Sequence, residues 1–480
     1  MVSIQRNFSP TTPSPTARAC GCQKRPDGDQ VTIGGRETSE LSGRTIAELC
    51  GSGVSKEAIF AQLDQALASV ALAPLSGLRN EQLRQFSQDV PKTDLHRHLE
   101  GAITPEALAD VAKKNDIELP TYDVEELREL IQITAKDKDA AAEDGLKVFL
   151  EKFNLIGKIF KDPQVIEDLT YHVAKDCSDD NLQYAELRFS PMYMASTNNL
   201  DLDAVTQAVL KGAKRASQDF GMDLGLIMII ERQMGVESGW VVEKLAEKYK
   251  DAGVVALDLA NNEYDYPPGP YKEVFQAAKQ AGLGVTVHAG EVPVHHADKS
   301  IGGANNVRVA VEELGADRIG HGVRSSEDPA VEQMMIDKGI PYEICPLSNV
   351  QTQAVKDMAS HPLPDLMRKG AVVTVNNDDP GVSGITLTDD YVNITQAFGF
   401  SATDLRQLVD NGVNSAFATD EVKDRVRTKV EEGFAFAQRR LVESMTLDEL
   451  QGLALSGAKD DGQRAAIRQE FSNLEGWLSR

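Results

Sequence analysis

Long hydrophobic runs are missing from this 480-residue sequence. No apolar stretch approaches the ~20 residues needed to cross a bilayer, which excludes a helical membrane protein. Positive charge is in the minority. Lys and Arg number 50 against 74 Asp and Glu, a net charge of −24, with a pI near 4.8. A nucleic-acid partner needs a positive face, so it is disfavoured, and a soluble acidic surface is the simpler reading. Cysteine is scarce: Cys20, Cys22, Cys50, Cys177 and Cys345 are odd in number and scattered. They build neither a disulfide framework nor a CxxC zinc site and point to a reducing compartment, read here as cytoplasmic. The first 26 residues carry four basic and no acidic side chains but lack an apolar core. That excludes an ordinary secretory signal and leaves a transit segment or, preferred, a disordered tail.

What is present is a globular composition, 41% hydrophobic and 26% charged, long enough for two ordinary domains or one large barrel with additions. Residues 1–43 lack apolar periodicity and read as a disordered extension. Residues 44–87 read as a short helical segment. Within it Ser55 is placed to cap a helix, and Ile59, Leu63, Leu67 and Val70 fall on one face. From Lys92 eight apolar strand candidates alternate with amphipathic helical stretches: "KTDLHRHL", "NLQYAELRFS", "LGLIMII", "VVALDLA", "GVTVHAGE", "RIGHG", "PYEICPLS" and "VVTVNNDDP". Buried parallel strands read this way, and eight repeats predict an α/β protein with a (β/α)8 TIM barrel over 88–440. A helical insertion, about 101–181, follows the first strand and is placed to cover the barrel mouth. Residues 441–480 read as a helical C-terminal tail.

Polar residues gather at the strand ends, where such barrels do chemistry. His96 and His98 close the first strand, His288 and Glu291 the fifth, His321 the sixth, and Asp378 and Asp379 the eighth. A spacing of two puts His96 and His98 on one side of a strand. Three neutral imidazoles and a carboxylate suit Zn2+. Alone, an HxH, a strand-end His or an Asp pair before Pro-Gly is as well explained by ordinary packing or a turn. Their coincidence at strands one, five, six and eight is not. Two other metal chemistries fit less well. The fourth strand, "VVALDLANNE", has Asp258 but no lysine to bridge a binuclear centre, and no CxxC accompanies an HxE as in cytidine-type deaminases.

"KTDLHRHLEGAITPE", "ELRFSP", "VTVHAGE", "RIGHGV", "CPLSN" and "NNDDPGV", in this order, resemble the adenosine deaminase family of metal-dependent barrel hydrolases, its bacterial members above all. The resemblance runs from about residue 88 to about 436. It implies one Zn2+ per subunit held by His96, His98, His288 and Asp378. It also implies Glu291 as the proton donor to a purine ring nitrogen, His321 as the residue that orients the attacking water and helps take its proton, and Asp379 as a contact to the imidazole ring of the base. Leu146, Phe149, Leu150 and Phe153, at i, i+3, i+4 and i+7, make an apolar face, which the resemblance places as a gate over the ribose. Ser348 matches a residue behind the ligands, and Cys345 reads as a packed thiol.

Two positions depart from the family. Asn261 stands where adenosine deaminases have a glycine, so it either crowds the base or takes a different turn. Glu100 replaces the aspartate that reaches the ribose 5′-hydroxyl and matches adenine deaminases instead. The expected function is zinc-dependent hydrolysis of adenosine and 2′-deoxyadenosine to inosine and 2′-deoxyinosine with release of ammonia. Deamination of free adenine or another 6-aminopurine is the alternative. A catalytically idle binding relative is disfavoured, because every matched position is filled. The expected partner is a small purine nucleoside or base, with no nucleic acid and no membrane, bound by a monomer or small homo-oligomer.

Overall fold

The structure, a computed structural model, describes residues 44–51, 55–134, 137, 145–292 and 302–478. The expected extension 1–43, with Cys20 and Cys22, lies outside the described residues.

Eight parallel strands follow one another in chain order around a (β/α)8 barrel: β1 Lys92–His98, β2 Leu182–Phe189, β3 Asp223–Glu231, β4 Val254–Ala260, β5 Gly284–Ala289, β6 Arg318–His321, β7 Tyr342–Ile344 and β8 Val373–Val375. Seven lie within an apolar run identified above, and β3 exceeds its run by one residue at each end. The sequence pattern is strong because the strands are covered on both faces: all seven residues of β3 from Gly225 onward are buried, as is all of β8.

Closure between β8 and β1 takes an unusual form. β8 ends at Val375, and the last step is made by single residues beyond it. Asp378 N–H donates to His96 O and His98 N–H donates to Asp378 O, both at 2.9 Å. The side chain of Asn376 replaces a backbone partner, its Oδ1 accepting from Leu95 N–H at 2.8 Å. The seam of the barrel therefore runs through the site.

The insertion after β1 contains the helices Pro105–Lys114, Val124–Ile131, Gly145–Glu151, Phe153–Ile156 and Pro163–Asp179. The expected apolar face at 146–153 spans a break at Lys152, whose backbone stays helical (φ −62°, ψ −28°). The single helix read over 56–70 is instead two, Lys56–Phe60 and Asp64–Val70. Ser55 caps the first, accepting from Ala58 N–H. The chain then leaves helical geometry at Leu63 (φ −124°, ψ 27°), because burying Leu63 completely takes precedence over one continuous helix.

These short helices pack on the end of the chain. Glu470 accepts from the N–H groups of Gln65 and Ala66, each at 2.9 Å, satisfying otherwise free donors at the start of Asp64–Val70. Ile46 N–H donates to Met445 O at 2.9 Å, and Lys56 pairs with Glu443 at 2.8 Å. Among the described residues no helix is long and apolar enough to cross a membrane.

Candidate active site

The carboxyl ends of the strands open into a cavity of about 380 Å3, within the range of small-molecule sites. His98, His288 and Asp378 line it and His96 is buried beside them, with one candidate ligand atom from each of the four within 4.8 Å of the others. Backbone geometry at the strand ends aims these groups. His321 and Asp378 hold φ values of +60° and +61°, a left-handed conformation that costs a non-glycine residue roughly 1–2 kcal/mol. Strain of this kind persists where the surroundings over-determine it, as the seam does at Asp378.

Two of the three imidazoles are set from behind by a carboxylate. His96 Nδ1 lies 2.6 Å from Glu343 Oε2, and His288 Nδ1 lies 3.0 Å from Asp258 Oδ1. A carboxylate on Nδ1 keeps the proton there and leaves the Nε2 lone pair facing the cavity, as a metal-ligating histidine requires. His98 Nε2 and His288 Nε2 then face one another at 3.1 Å. His96 Nε2 and His98 Nε2 each stand 3.3 Å from Asp378 Oδ1. His96 Nε2 is buried with no hydrogen-bond partner. Burial holds His98 and His288 below the ordinary histidine value, hence neutral. At His96, burial and Arg188 lower the value, yet the neighbouring carboxylates of Asp378 and Glu343 prevail and raise it. Acceptors crowded on one point, and a site that draws positive charge to itself, fit a divalent cation such as Zn2+.

Around these four stand the other expected residues. Glu291 is 6% exposed. Burial, with Asp378 and Glu263 nearby, pushes its carboxyl up to about 8. Asp379 is buried beside Asp378; that burial, the neighbouring charge and Glu100 raise it well above the ordinary value. Its Oδ1 has no hydrogen-bond partner. Gly101 makes room for it, since a Cβ there would fall 1.6 Å from Asp379 Oδ1. His321 Nε2 stands 3.7 Å from Glu291 Oε2 and 3.8 Å from Asp378 Oδ2. Ser348 donates to Asp378 Oδ2 at 2.6 Å. Cys345 is buried, which raises its thiol; it donates to Glu343 O at 3.6 Å, and its Sγ lies within 4.8 Å of ligand atoms of His96, His321 and Asp378.

Leu146, Phe149, Leu150 and Phe153 all line the cavity despite the break in their helix. Tyr193 donates to Phe153 O at 2.6 Å and ties that wall to the helix Pro191–Ser196. Asn261 keeps a left-handed turn (φ +78°). Its Oδ1 accepts from Asn262 N–H at 2.9 Å, so the extra side chain is folded onto its own turn, at the cavity wall. Asn is among the few non-glycine residues that tolerate this conformation. Glu100 is buried, its Oε1 accepting from Ser190 N–H at 2.8 Å, and burial pushes it up to about 8.

Residues not foreseen complete the site. Glu263 accepts from the N–H groups of Gly290, Glu291 and Val292 at 2.7, 3.1 and 3.2 Å and so fixes the loop that carries Glu291. Glu231, at the end of β3, receives Ser190 Oγ at 2.6 Å and Gln233 Nε2 at 2.7 Å. It lines the cavity with Glu100. Arg188 joins Asp258 to Glu343, at 2.8 Å from each. An acid or arginine inside or directly ending an apolar strand, as in "ELRF", "IIE" and "YEI", was the available signal.

An eight-stranded barrel with three imidazoles and a carboxylate converging at its mouth defines the metal-dependent barrel hydrolases. Within that class the assignment is specific. The model of the adenosine deaminase family matches residues 91–433, and the chain belongs to this family of deaminases. The adenosine deaminase of Serratia proteamaculans is 36% identical over 341 residues, 71% of this chain and 98% of that protein. Among solved structures, the adenine deaminase of Arthrobacter aurescens is 30% identical (TM-score 0.63, covering 72% of this chain and 98% of that one). The N6-mAMP deaminase of Arabidopsis is 26% identical (TM-score 0.62, 72% and 99%).

Proposed function

We propose that the protein hydrolyses adenosine and 2′-deoxyadenosine at C6, releasing ammonia, with Zn2+ held by His96, His98, His288 and Asp378. The observation that carries the choice of a nucleoside is the layout of the cavity. Besides Glu291, His321, Asp378 and Asp379, its wall carries a second polar cluster, Glu100, Ser190, Glu231 and Gln233, joined by hydrogen bonds, together with the apolar residues Leu146, Phe149, Leu150 and Phe153. A base with a sugar has more polar atoms than the base alone, and the second cluster offers them partners.

When bound, the zinc ion supplies Lewis acidity that makes a water nucleophilic near neutral pH. The side chains do the rest. Glu291, kept protonated by burial, donates its proton to purine N1 as the water oxygen bonds to C6. His321 and Asp378 face the attacking oxygen, and the water's proton passes to Asp378. Asp379, also protonated, donates to N7 and orients the ring. Transfer of the proton from Asp378 to the exocyclic nitrogen lets the C6–N6 bond break and ammonia leave, while the C6 hydroxyl becomes a carbonyl and its proton returns to Glu291. The apolar wall excludes bulk water.

The cavity lining contains no Lys or Arg among the described residues. A 5′-phosphate would meet Glu100 and Glu231 with no countercharge among these residues, which disfavours a nucleotide such as the substrate named for the Arabidopsis neighbour. Free adenine is the second reading, favoured by Glu100 and by the likeness to the Arthrobacter adenine deaminase. Ultraviolet-monitored turnover of adenosine, 2′-deoxyadenosine, adenine and AMP by zinc-loaded protein decides between them. Adenosine and 2′-deoxyadenosine are expected to react, and reaction of adenine alone would overturn the nucleoside assignment.

A further inference from the structure

His361 is 3% exposed, outside the cavity, and nothing in the chemistry above uses it. Both of its ring nitrogens are engaged. Nδ1 receives the backbone N–H of Leu363 at 3.1 Å. A backbone amide only donates, so Nδ1 carries no proton. Burial lowers the ring's pKa to about 4, and the neutral ring therefore bears its hydrogen on Nε2. That nitrogen lies 3.3 Å from Asn349 Oδ1.

The amide of Asn349, fully buried on the helix Pro346–Gln351, is oriented by this contact. Its Oδ1 accepts from His361, which turns Nδ2 to His321 Nδ1 at 2.9 Å. An amide NH2 also only donates, so His321 Nδ1 is an acceptor and the ring's hydrogen sits on Nε2. A doubly protonated His321 would set two donors face to face across that same contact. His321 Nε2 is the nitrogen that faces Asp378 Oδ2 and Glu291 Oε2.

We infer that Leu363 N–H, His361 and Asn349 form a one-way hydrogen-bond relay that locks His321 as the Nε2–H tautomer, a fixed donor to the attacking oxygen, leaving Asp378 as the acceptor of the water's proton. This deepens the reading given above and rests on it. Asn349 and His361 are positioning residues; neither touches the substrate. A donor held in place before reaction stabilises charge growing on the attacking oxygen without reorganisation. It also removes from His321 the share of the base's work that the family resemblance assigned to it.

The test is 15N NMR of the zinc-loaded full chain labelled in its histidine rings, with the His321 signals assigned by their loss in His321→Gln. The expected result is an unprotonated Nδ1 and a protonated Nε2 on His321. Protonated Nδ1 overturns the relay. This readout needs no turnover, so a protein inactive on adenosine would refute the substrate assignment and still decide the tautomer. In Asn349→Asp an acceptor replaces the donor, and His321 Nδ1 is expected to become protonated. Whether Nε2 then loses its hydrogen or the ring becomes a cation paired with Asp378, kcat should fall about 100-fold with KM and zinc content unchanged. An unaltered kcat in a variant whose Nδ1 has taken up the proton overturns the catalytic part of the proposal.

Discussion

Two polar layers are stacked inside the barrel, and they are built in opposite ways. In the lower one every carboxylate faces a guanidinium: Asp258 meets Arg188, Glu343 meets Arg188 and Arg318, and Glu186 meets Arg318. Phe417 stacks on Arg318 at 3.8 Å, and Phe417 N–H donates to Glu186 at 2.6 Å, sealing that end. Burial alone would raise Glu343, but Arg188 and Arg318 outweigh it and hold the carboxyl well below its usual range. The upper layer has four imidazoles and five acids, Glu100, Glu231, Glu291, Asp378 and Asp379, with no Lys or Arg among the described lining residues. Buried charge that is already matched serves as scaffold; buried charge left unmatched is satisfied by a metal ion and a substrate. His96 joins the two, Nδ1 to the lower layer and Nε2 to the upper.

Removing a ligand from the upper layer has the largest expected effect. His96→Ala should abolish stoichiometric zinc and with it turnover, measured by metal analysis of the purified protein; a full equivalent of zinc would refute the ligand assignment. Glu291→Gln changes the upper layer without touching a ligand. It should lower kcat by about 10^2–10^4-fold with zinc retained, and rates equal to the parent's would remove Glu291 from the mechanism. A change in the lower layer should reach the metal through the imidazoles, with a loss of thermal stability from the guanidiniums left undermatched. Glu343→Gln is expected to weaken zinc about 10- to 100-fold in chelator competition while leaving KM for adenosine near the parent's.

The pH profile separates the layers further. The donor must be protonated, Glu291 holds its proton below about 8, and so kcat/KM should fall as pH rises through that value. Glu263→Gln removes a neighbouring negative charge, so Glu291 releases its proton more easily and the alkaline limb should move to lower pH. A limb that stays in place would mean another group sets it. The smallest effect belongs to Asn261→Gly, which relieves a left-handed Asn but frees the unfolded chain. Melting should register a change within about 1 kcal/mol, and a larger loss would show that the Asn261 side chain supports the wall.

Much of the upper layer was legible because strand ends are local features. An apolar run followed by His, Glu or Asp announces both the strand and the residue at its mouth, which is why His96, His98, His288, His321 and Asp378 could be picked out together. The lower layer was harder. Arg188, Glu186 and Glu343 look like single interruptions in apolar strands, and their partners lie on other strands; Glu343 is 155 residues from Arg188. The helical break at Leu63 was missed for a related reason, since periodicity records which face is apolar and not whether the backbone stays continuous while burying it.

By itself the sequence determined the eight-fold alternation, the family and the residues at the strand ends, because side-chain period and local order survive without coordinates. Only the tertiary structure decided which nitrogen of each histidine faces the cavity, that Glu231 joins Glu100 in its wall, and that the barrel closes through Asp378 and Asn376. Those outcomes depend on hydrogen-bond partners brought together from distant strands, and a donor or acceptor acquires its role only when the group opposite it is in place.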